Sequence, residues 1–305
     1  MKKSTHIILL ILTTLVGSSY AQTINYNDAF YFGNIKDDYA TKITVDSKGN
    51  SITGGSYDSI TTINGIDSLA SYRGHDAILI KQDSSGNIVW SKTFGAPGVD
   101  QVTAIATDVQ DNIYIAVRSS GALILGNDTV GWARYEDPFI AKLDPSGNFI
   151  WAKSFKSVKS STRINTLKLA KNGDIYVSGQ FIDSMAIHGH KLIGDYYEGF
   201  VARFNKNGDY ISLTKIGGPD YDVALGLVIT EDKGFVVTGN FRDSVHFNNN
   251  KYSYNSAGTY YGYLAKYDSN FVCSWVKNLY NSAPYVDIDH NQNLLVNFGK
   301  SVKKY

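Results

Sequence analysis

The chain has 305 residues, 43% of them hydrophobic and 19% charged, with 28 Gly, 5 Pro, one Cys and 29 basic against 28 acidic residues. This composition excludes a disordered chain, collagen, a disulfide framework and a multi-span membrane protein. Without Lys2 and Lys3 the balance is 27 basic to 28 acidic, so no net field marks nucleic acid or acidic lipid as a partner.

Residues 1–21 read as a secretory signal peptide. Lys2 and Lys3 precede an apolar run from Ile7 to Val16, and Ser19-Tyr20-Ala21 sets small residues at the two positions a signal peptidase reads, with cleavage before Gln22. That run is ten residues long, against roughly 20 needed to span a bilayer. A chain with no membrane span, secreted or displayed at the cell surface, is expected. The single cysteine, Cys273, is far from the cleavage site and cannot form an internal disulfide, so no lipid anchor is expected and stability must come from packing.

Residues 22–305 carry a repeat. Asp83 to Asn87 recurs as Asp144 to Asn148 and Asn205 to Asp209, each 61 residues after the last, and then as Asp268-Ser269-Asn270 after 63. A second series, Asp46 to Asn50, Asp108 to Asn112, Ala170 to Asp174, Glu231 to Phe235 and Asp289 to Asn293, is offset by 62, 62, 61 and 58. Two turns per period imply four strands per period. The flanking runs, such as Ile113-Tyr114-Ile115, Phe139 to Leu143 and Phe149-Ile150-Trp151, are short, β-branched and aromatic, without helical period. Gly at the fourth turn position suits a type I turn closing through a left-handed residue.

Four strands repeated about an axis make a β-propeller blade, whose usual length is about 40 to 45 residues. The excess here falls between second and third strands, where Ile63 to Ile66, Leu125 to Asp128, Ile187 to His190 and Phe247 to Asn250 each predict an extra hairpin. Phe32-Gly33 precedes Asp46 by 14 residues, as Phe94-Gly95 precedes Asp108, so the N-terminal segment supplies a last strand. Tyr285 to Phe298 supplies only first and second strands. The expected fold is therefore all-β: a single propeller domain of five four-stranded blades, the last composite and incomplete, closed by the strand near Phe30; a piece of a larger ring is the alternative.

Segments Asp137 to Phe155, and Asp76 to Gly95 with Asp100 to Asn112, resemble the bacterial secreted β-propeller repeats usually called SBBP repeats. The resemblance runs from about Phe30 to Phe298. It implies an extracellular or cell-surface propeller and carries no common catalytic residues. Ser212, where other copies have Trp, and the missing Gly-Asp loop before Ile164 depart from the pattern.

Several residues invite a chemical reading beside a packing one. Asp144 to Trp151 resembles the tryptophan-docking repeat of quinone-dependent propellers, but Trp90, Trp151 and Trp275 share one column, as an inter-blade packing position would. His188 and His190 flank a glycine where other copies have Asn and Gly, and are read as a turn. Cys273 falls in an apolar column. Lys81, Lys142, Arg203 and Lys266 form a cationic column, read as stems packed between blades with their heads in water. Asp-Ser steps such as Asp183-Ser184 and Asp243-Ser244 resemble acceptors of a bacterial O-glycosylation system, with turn chemistry as the rival.

Calcium is the candidate metal, through Asp37, Asp38, Asp100, Asp220 and Asp222 in the loops leading into first strands. Candidate ligand-binding residues are the aromatics before third strands: Tyr72, Trp132, Tyr135, Tyr196, Tyr197, Tyr260 and Tyr261. Such rings suit sugars or a peptide surface, and packing of the long connections is the bland alternative. The expected function is a monomeric, non-enzymatic binding or scaffold module for a glycan or protein surface. The alternative is a propeller enzyme acting on polysaccharide or using a quinone.

Overall fold

The computed structural model describes residues 32–33, 37–63, 67–95, 97–121, 123–125, 128–130, 137–157, 161–247, 250–253, 259–279, 282, 285–298 and 301–305. Only the backbone is described at 32–33, 59–63, 67–73, 123–125, 128–130 and 250–253. The signal segment, Trp132 and Tyr135 lie outside the described residues, as does the side chain of Tyr72.

Four units each form an antiparallel meander in chain order. Unit 1 comprises Tyr39–Val45, Ser51–Ile63, Asp67–Gln82 and Ile88–Phe94. Unit 2 comprises Gln101–Thr107, Ile113–Ser119, Asp137–Leu143 and Phe149–Ser154. Thr162–Leu169, Ile175–Ile187, His190–Phe204 and Tyr210–Gly217 make unit 3. Unit 4 is Val223–Ile229, Phe235–Phe241, Tyr261–Tyr267 and Cys273–Leu279. A fifth sheet holds Tyr285–Ile288, Leu294–Asn297 and Val302–Lys304. The array is all-β and propeller-like. Among the described residues no helix is long and apolar enough to cross a membrane.

The turns explain the meander. In all nine, the first residue's N–H donates to the fifth residue's carbonyl, as Asp46 to Asn50 at 2.9 Å. Where that first residue is Asp, its carboxylate accepts the N–H groups two and four positions on, such as Lys48 at 3.0 Å and Asn50 at 2.9 Å. The fourth position is left-handed throughout, whether glycine, as Gly147 at φ 80°, or Asp111, Lys233, Phe271 and Gln292 at 63–65°. The expected turn Glu231 to Phe235 is one residue off: it runs from Thr230 to Gly234.

Second and third strands are buried on both faces because consecutive units stack. Ile113 to Val117 and Phe139 to Ala141 are all at most 2% exposed, which is why they read as unbroken apolar runs. One core layer fills each junction: Val102, Phe94 and Phe139 between units 1 and 2, Phe155, Phe200 and Ile140 between 2 and 3, Tyr176, Phe235 and Phe247 between 3 and 4, Leu264, Val286 and Val296 between 4 and 5. Cys273 sits in the third of these layers as a small apolar side chain. The tryptophan column crosses the junctions: Trp90 donates to Pro145 O at 3.2 Å, and a Cβ on Gly147 would lie 3.3 Å from Trp90.

Two details revise the expected reading. The cationic heads are not simply in water; each pairs with a carboxylate of its own unit's first turn. Lys81 meets Asp46 at 2.8 Å, Lys142 meets Asp108 at 3.7 Å, Arg203 meets Asp174 at 2.5 Å and Lys266 meets Asp232 at 2.7 Å. Lys304 continues the series with Asp289 at 3.0 Å. It belongs to the second revision, a third strand, Val302–Lys304, in a unit expected to have only two. Those three residues are exposed and bear two lysines, so no apolar pattern announces them.

The extra hairpins are present in all four full units. The tail of a preceding strand is laid along three of them: Phe32 opposite Ile63, Lys156 opposite Ala186, Ile216 opposite Phe247. Phe32-Gly33 thus occupies the place of a last-strand tail, while the closing strand expected near Phe30 lies outside the described residues.

Candidate functional site

First strands run side by side, and four of them are interrupted at one equivalent place. Register shifts fall between Ala40 and Lys42, Val102 and Ala104, Ile164 and Thr166, and Ala224 and Gly226. The extra residues are Thr41, Thr103, Asn165 and Leu225. A bulge re-aims side chains, and these four line one cavity of about 370 Å³ where the first strands converge. Lys42, Gln101, Arg118, Arg163, Ile164 and Tyr285 complete its wall. The bulges are tied across units: Thr41 donates to Val102 O, Asn165 to Ala224 O at 2.9 Å and Thr166 to Leu225 O at 2.7 Å.

The lining is cationic. Lys42 Nζ lies 6.0 Å from the centre of the Tyr285 ring. Burial, then repulsion from Lys168, lowers the Lys42 pKa below the usual lysine range. Among the described lining residues there are three cations and no carboxylate.

Beside this cavity runs a chain of tyrosines. Ring centres are 4.9 Å apart for Tyr196 and Tyr197, 4.8 Å for Tyr197 and Tyr221, and 5.3 Å for Tyr221 and Tyr260. Arg242 stands 6.0 Å from the Tyr260 ring and pairs with Asp220 at 3.4 Å. Tyr196 and Tyr260 are 49% and 47% exposed, Tyr197 and Tyr221 half-buried. Arg163 of the cavity wall acts electrostatically on the Tyr221 hydroxyl, whose pKa is raised by burial first and then by its tyrosine neighbours. Arg163 stands opposite Gln180, and Gln180 opposite Gly199, two residues past Tyr197, so the cavity wall and the array belong to the first and third strands of unit 3.

The structure brings together Tyr196, Tyr197 and Tyr260 and adds Tyr221. Tyr261 points elsewhere, packing on Phe241 at 6.3 Å in the junction core. Tyr221 escapes a search by repeat column because it belongs to the next unit's leading loop. The bulge residues escape too, since their types differ and a bulge is a feature of pairing.

The five aspartates do not form one centre. Asp37 is exposed, Asp38 accepts from Asp58 N at 3.1 Å, and Asp220 pairs with Arg242. Asp100 and Asp222 are fully buried, in two equivalent acidic pairs. Asp76 and Asp100 flank Gly95, whose Cβ would fall 2.7 and 2.9 Å from their oxygens; Glu198 and Asp222 flank Gly217 likewise, at 1.6 and 3.5 Å. Glu198 bonds Lys215 at 3.1 Å, and Asp222 accepts from Gly218 N at 2.6 Å. Burial, reinforced by Glu198 and Asp220, pushes Asp222 up to about 9 against the Gly218 bond; burial also raises Glu198, against Lys215. At the junction of units 2 and 3 the equivalent Asp137 faces neutral partners instead, accepting from Ser157 N at 2.9 Å, with Thr162 beside Ser157 at 2.8 Å. Among the described residues no three metal-type side chains gather.

His188 and Gly189, at φ 48° and 85°, form a hairpin tip, and His190 stacks on Tyr210 at 3.9 Å. Ser184 and Ser244 are 4% and 7% exposed, and the aspartates before them are left-handed, Asp183 at 64° at a register shift within its strand and Asp243 at 65°.

No family model matches the chain, and no curated protein does. Solved structures are similar at low identity. A protein of unknown function from Bacteroides caccae matches at 10% identity and TM-score 0.42, over 73% of this chain and 61% of its own. The Pan2 WD40 domain of Neurospora crassa matches at 11% and 0.44, over 85% and 72%. A gluconolactonase from Xanthomonas campestris matches at 13% and 0.29, over 87% and 93%. The chain spans less than two thirds of the first of these.

Proposed function

We propose that the chain is an exported, non-enzymatic binding module of the SBBP-like repeat type, built as a five-bladed propeller whose last blade is incomplete, and that it holds a glycan on the face bearing Tyr196, Tyr197, Tyr221 and Tyr260. The observation that carries this reading is the tyrosine array. Four rings run in van der Waals sequence with two of them half exposed, whereas aromatics serving only to pin connections would be buried. A tyrosine ring offers sugars a flat apolar face with a hydroxyl at its rim.

The test is affinity electrophoresis through gels containing galactan, xylan or polygalacturonate, with wild type and the Tyr196→Ser/Tyr260→Ser variant. Both rings are exposed, so the variant should keep its stability within about 0.5 kcal/mol and lose retardation. Retardation unchanged in the variant, or absent from every gel for the wild type, overturns the reading. Release of reducing ends from a retained polysaccharide would make the chain an enzyme instead.

A further inference from the structure

The tyrosine array accounts for one part of the loop face and leaves the adjoining cavity without a role. That cavity is where the first strands of five units converge, and its wall is made by the bulges. Bulges interrupt a ladder, and four at one level in successive units turn Thr41, Thr103, Asn165 and Leu225 into a common space. Three of the four are polar and the fourth is Leu225, and the charge around them comes from Lys42, Arg118 and Arg163.

The whole chain is near neutral, so three cations around a cavity of about 370 Å³ are a local concentration. Lys42 is half-buried and held near Lys168, an arrangement that opposes its own charge. An anion seated between these groups relieves that repulsion, and partial burial shields the pairing from salt. Arginine supplies a planar fork of donors matched to a carboxylate or sulfate. Gln101, Thr103 and Asn165 add neutral hydrogen-bonding groups at the same wall. A volume of this size admits a single sugar ring with its acidic substituent; it lies at the lower end of the range of small-ligand sites.

We infer that the cavity at the convergence of the first strands is a subsite for the acidic group of a carboxylate-bearing glycan, with Lys42, Arg118 and Arg163 receiving a uronate while neighbouring residues of the same chain lie across Tyr221 and Tyr197. This rests on the glycan reading above and sharpens it from sugars in general to acidic sugars. Arg163 stands opposite Gln180, and Gln180 opposite Gly199, two residues past Tyr197, so the two features lie in the first and third strands of one unit, within reach of one extended ligand.

The test is calorimetric binding of tetragalacturonate and of the neutral galactotetraose to wild type and to the Lys42→Gln/Arg163→Gln variant, with inorganic sulfate and free galacturonate as further ligands. Wild type should prefer the acidic tetramer by about tenfold or more, and the preference should shrink towards unity in the variant while affinity for the neutral tetramer stays. A melting scan shows the variant folded; if it is not, Lys42→Arg together with Arg163→Lys, which keeps both charges, must retain the preference where Lys42→Gln alone reduces it. Equal wild-type affinity for both tetramers, or a preference that survives loss of the charges, overturns the inference. If neither tetramer binds, the tyrosine reading fails, and the cavity is judged by sulfate and galacturonate: binding that disappears in Lys42→Gln sustains the anion site, and no binding of either overturns it.

Discussion

The pairing of Lys81 with Asp46 makes the repeat's central structural claim measurable. The two side chains are 6% and 0% exposed and 2.8 Å apart. The ammonium also donates to Pro145 O of the next unit at 3.3 Å, while the carboxylate caps its own turn through Lys48 N, Asn50 N and Asn50 Nδ2 at 3.0, 2.9 and 2.8 Å. One ion pair thus ties a third strand, a first turn and a neighbouring unit together. Burial would raise the Asp46 pKa, but the Lys81 bond and the Asn50 and Lys48 donors outweigh it and hold the group at about 2. Lys81→Met fits the same space yet leaves a buried carboxylate without its cation, which costs about 3–5 kcal/mol. For a domain of this size that moves the urea midpoint down by about 1–2 M. Since the folded pKa lies below the ordinary 3.8, the pair's stabilisation is present above about pH 4 and lost as pH falls towards 2. Lys81→Met should flatten that part of the stability profile. A midpoint shift equivalent to less than about 1 kcal/mol, the value of a surface pair, or an unchanged acid profile would refute the reasoning. Lys304→Met, at the 56% exposed equivalent, should leave the midpoint where it is.

Gly147→Ala should cost about 1–2 kcal/mol, because the residue sits at φ 80° and the new methyl would press on Trp90 and Lys92 at 3.1–3.3 Å; equilibrium unfolding checks this, with Gly86→Ala, where nothing lies within 4 Å, isolating the backbone part. Asp222 is held protonated by burial to about 9, against an ordinary 3.8, so the folded state binds the extra proton and stability should fall as pH rises from about 4 to 9. Asp222→Asn should remove that slope and raise the melting temperature at pH 8; if millimolar calcium instead stabilises wild type at pH 8 and not Asp222→Asn, the acidic pair holds a cation. Phe271→Ala should destabilise by about 3–5 kcal/mol, since its ring stacks on Tyr176 at 6.1 Å in a junction core and alanine keeps the left-handed backbone cost.

Much of this architecture is legible in the chain because its turns carry their own chemistry. Asp at the first place and Gly at the fourth mark the meander, and their spacing counts the strands. The turns that lack the glycine keep the same left-handed residue, at Asp111, Lys233, Phe271 and Gln292, because the hydrogen bonds of the turn and its flanking strands impose it. What stayed hidden lies in relations between units. Lys81 is visible as a column, but its partner Asp46 is 35 positions away. Asp76 and Asp100 converge only because a last strand folds back between them. Val302–Lys304 forms a strand through backbone pairing and the Lys304–Asp289 ion pair, helped by Tyr305, which exchanges hydrogen bonds with Leu294 at 2.9 and 3.0 Å. The tyrosine array was half visible: Tyr196, Tyr197 and Tyr260 share the entry to third strands, whereas Tyr221 joins them from the loop leading into a first strand.

The most direct measurement of the binding face is amide hydrogen exchange of the full chain with and without a retained polysaccharide. The account predicts added protection at residues 195–198, 219–222 and 259–261, together with the first-strand bulges at 41, 103 and 165. Protection confined instead to the outer strands, such as Ile88–Phe94 and Phe149–Ser154, with the tyrosine loops unchanged, would contradict it.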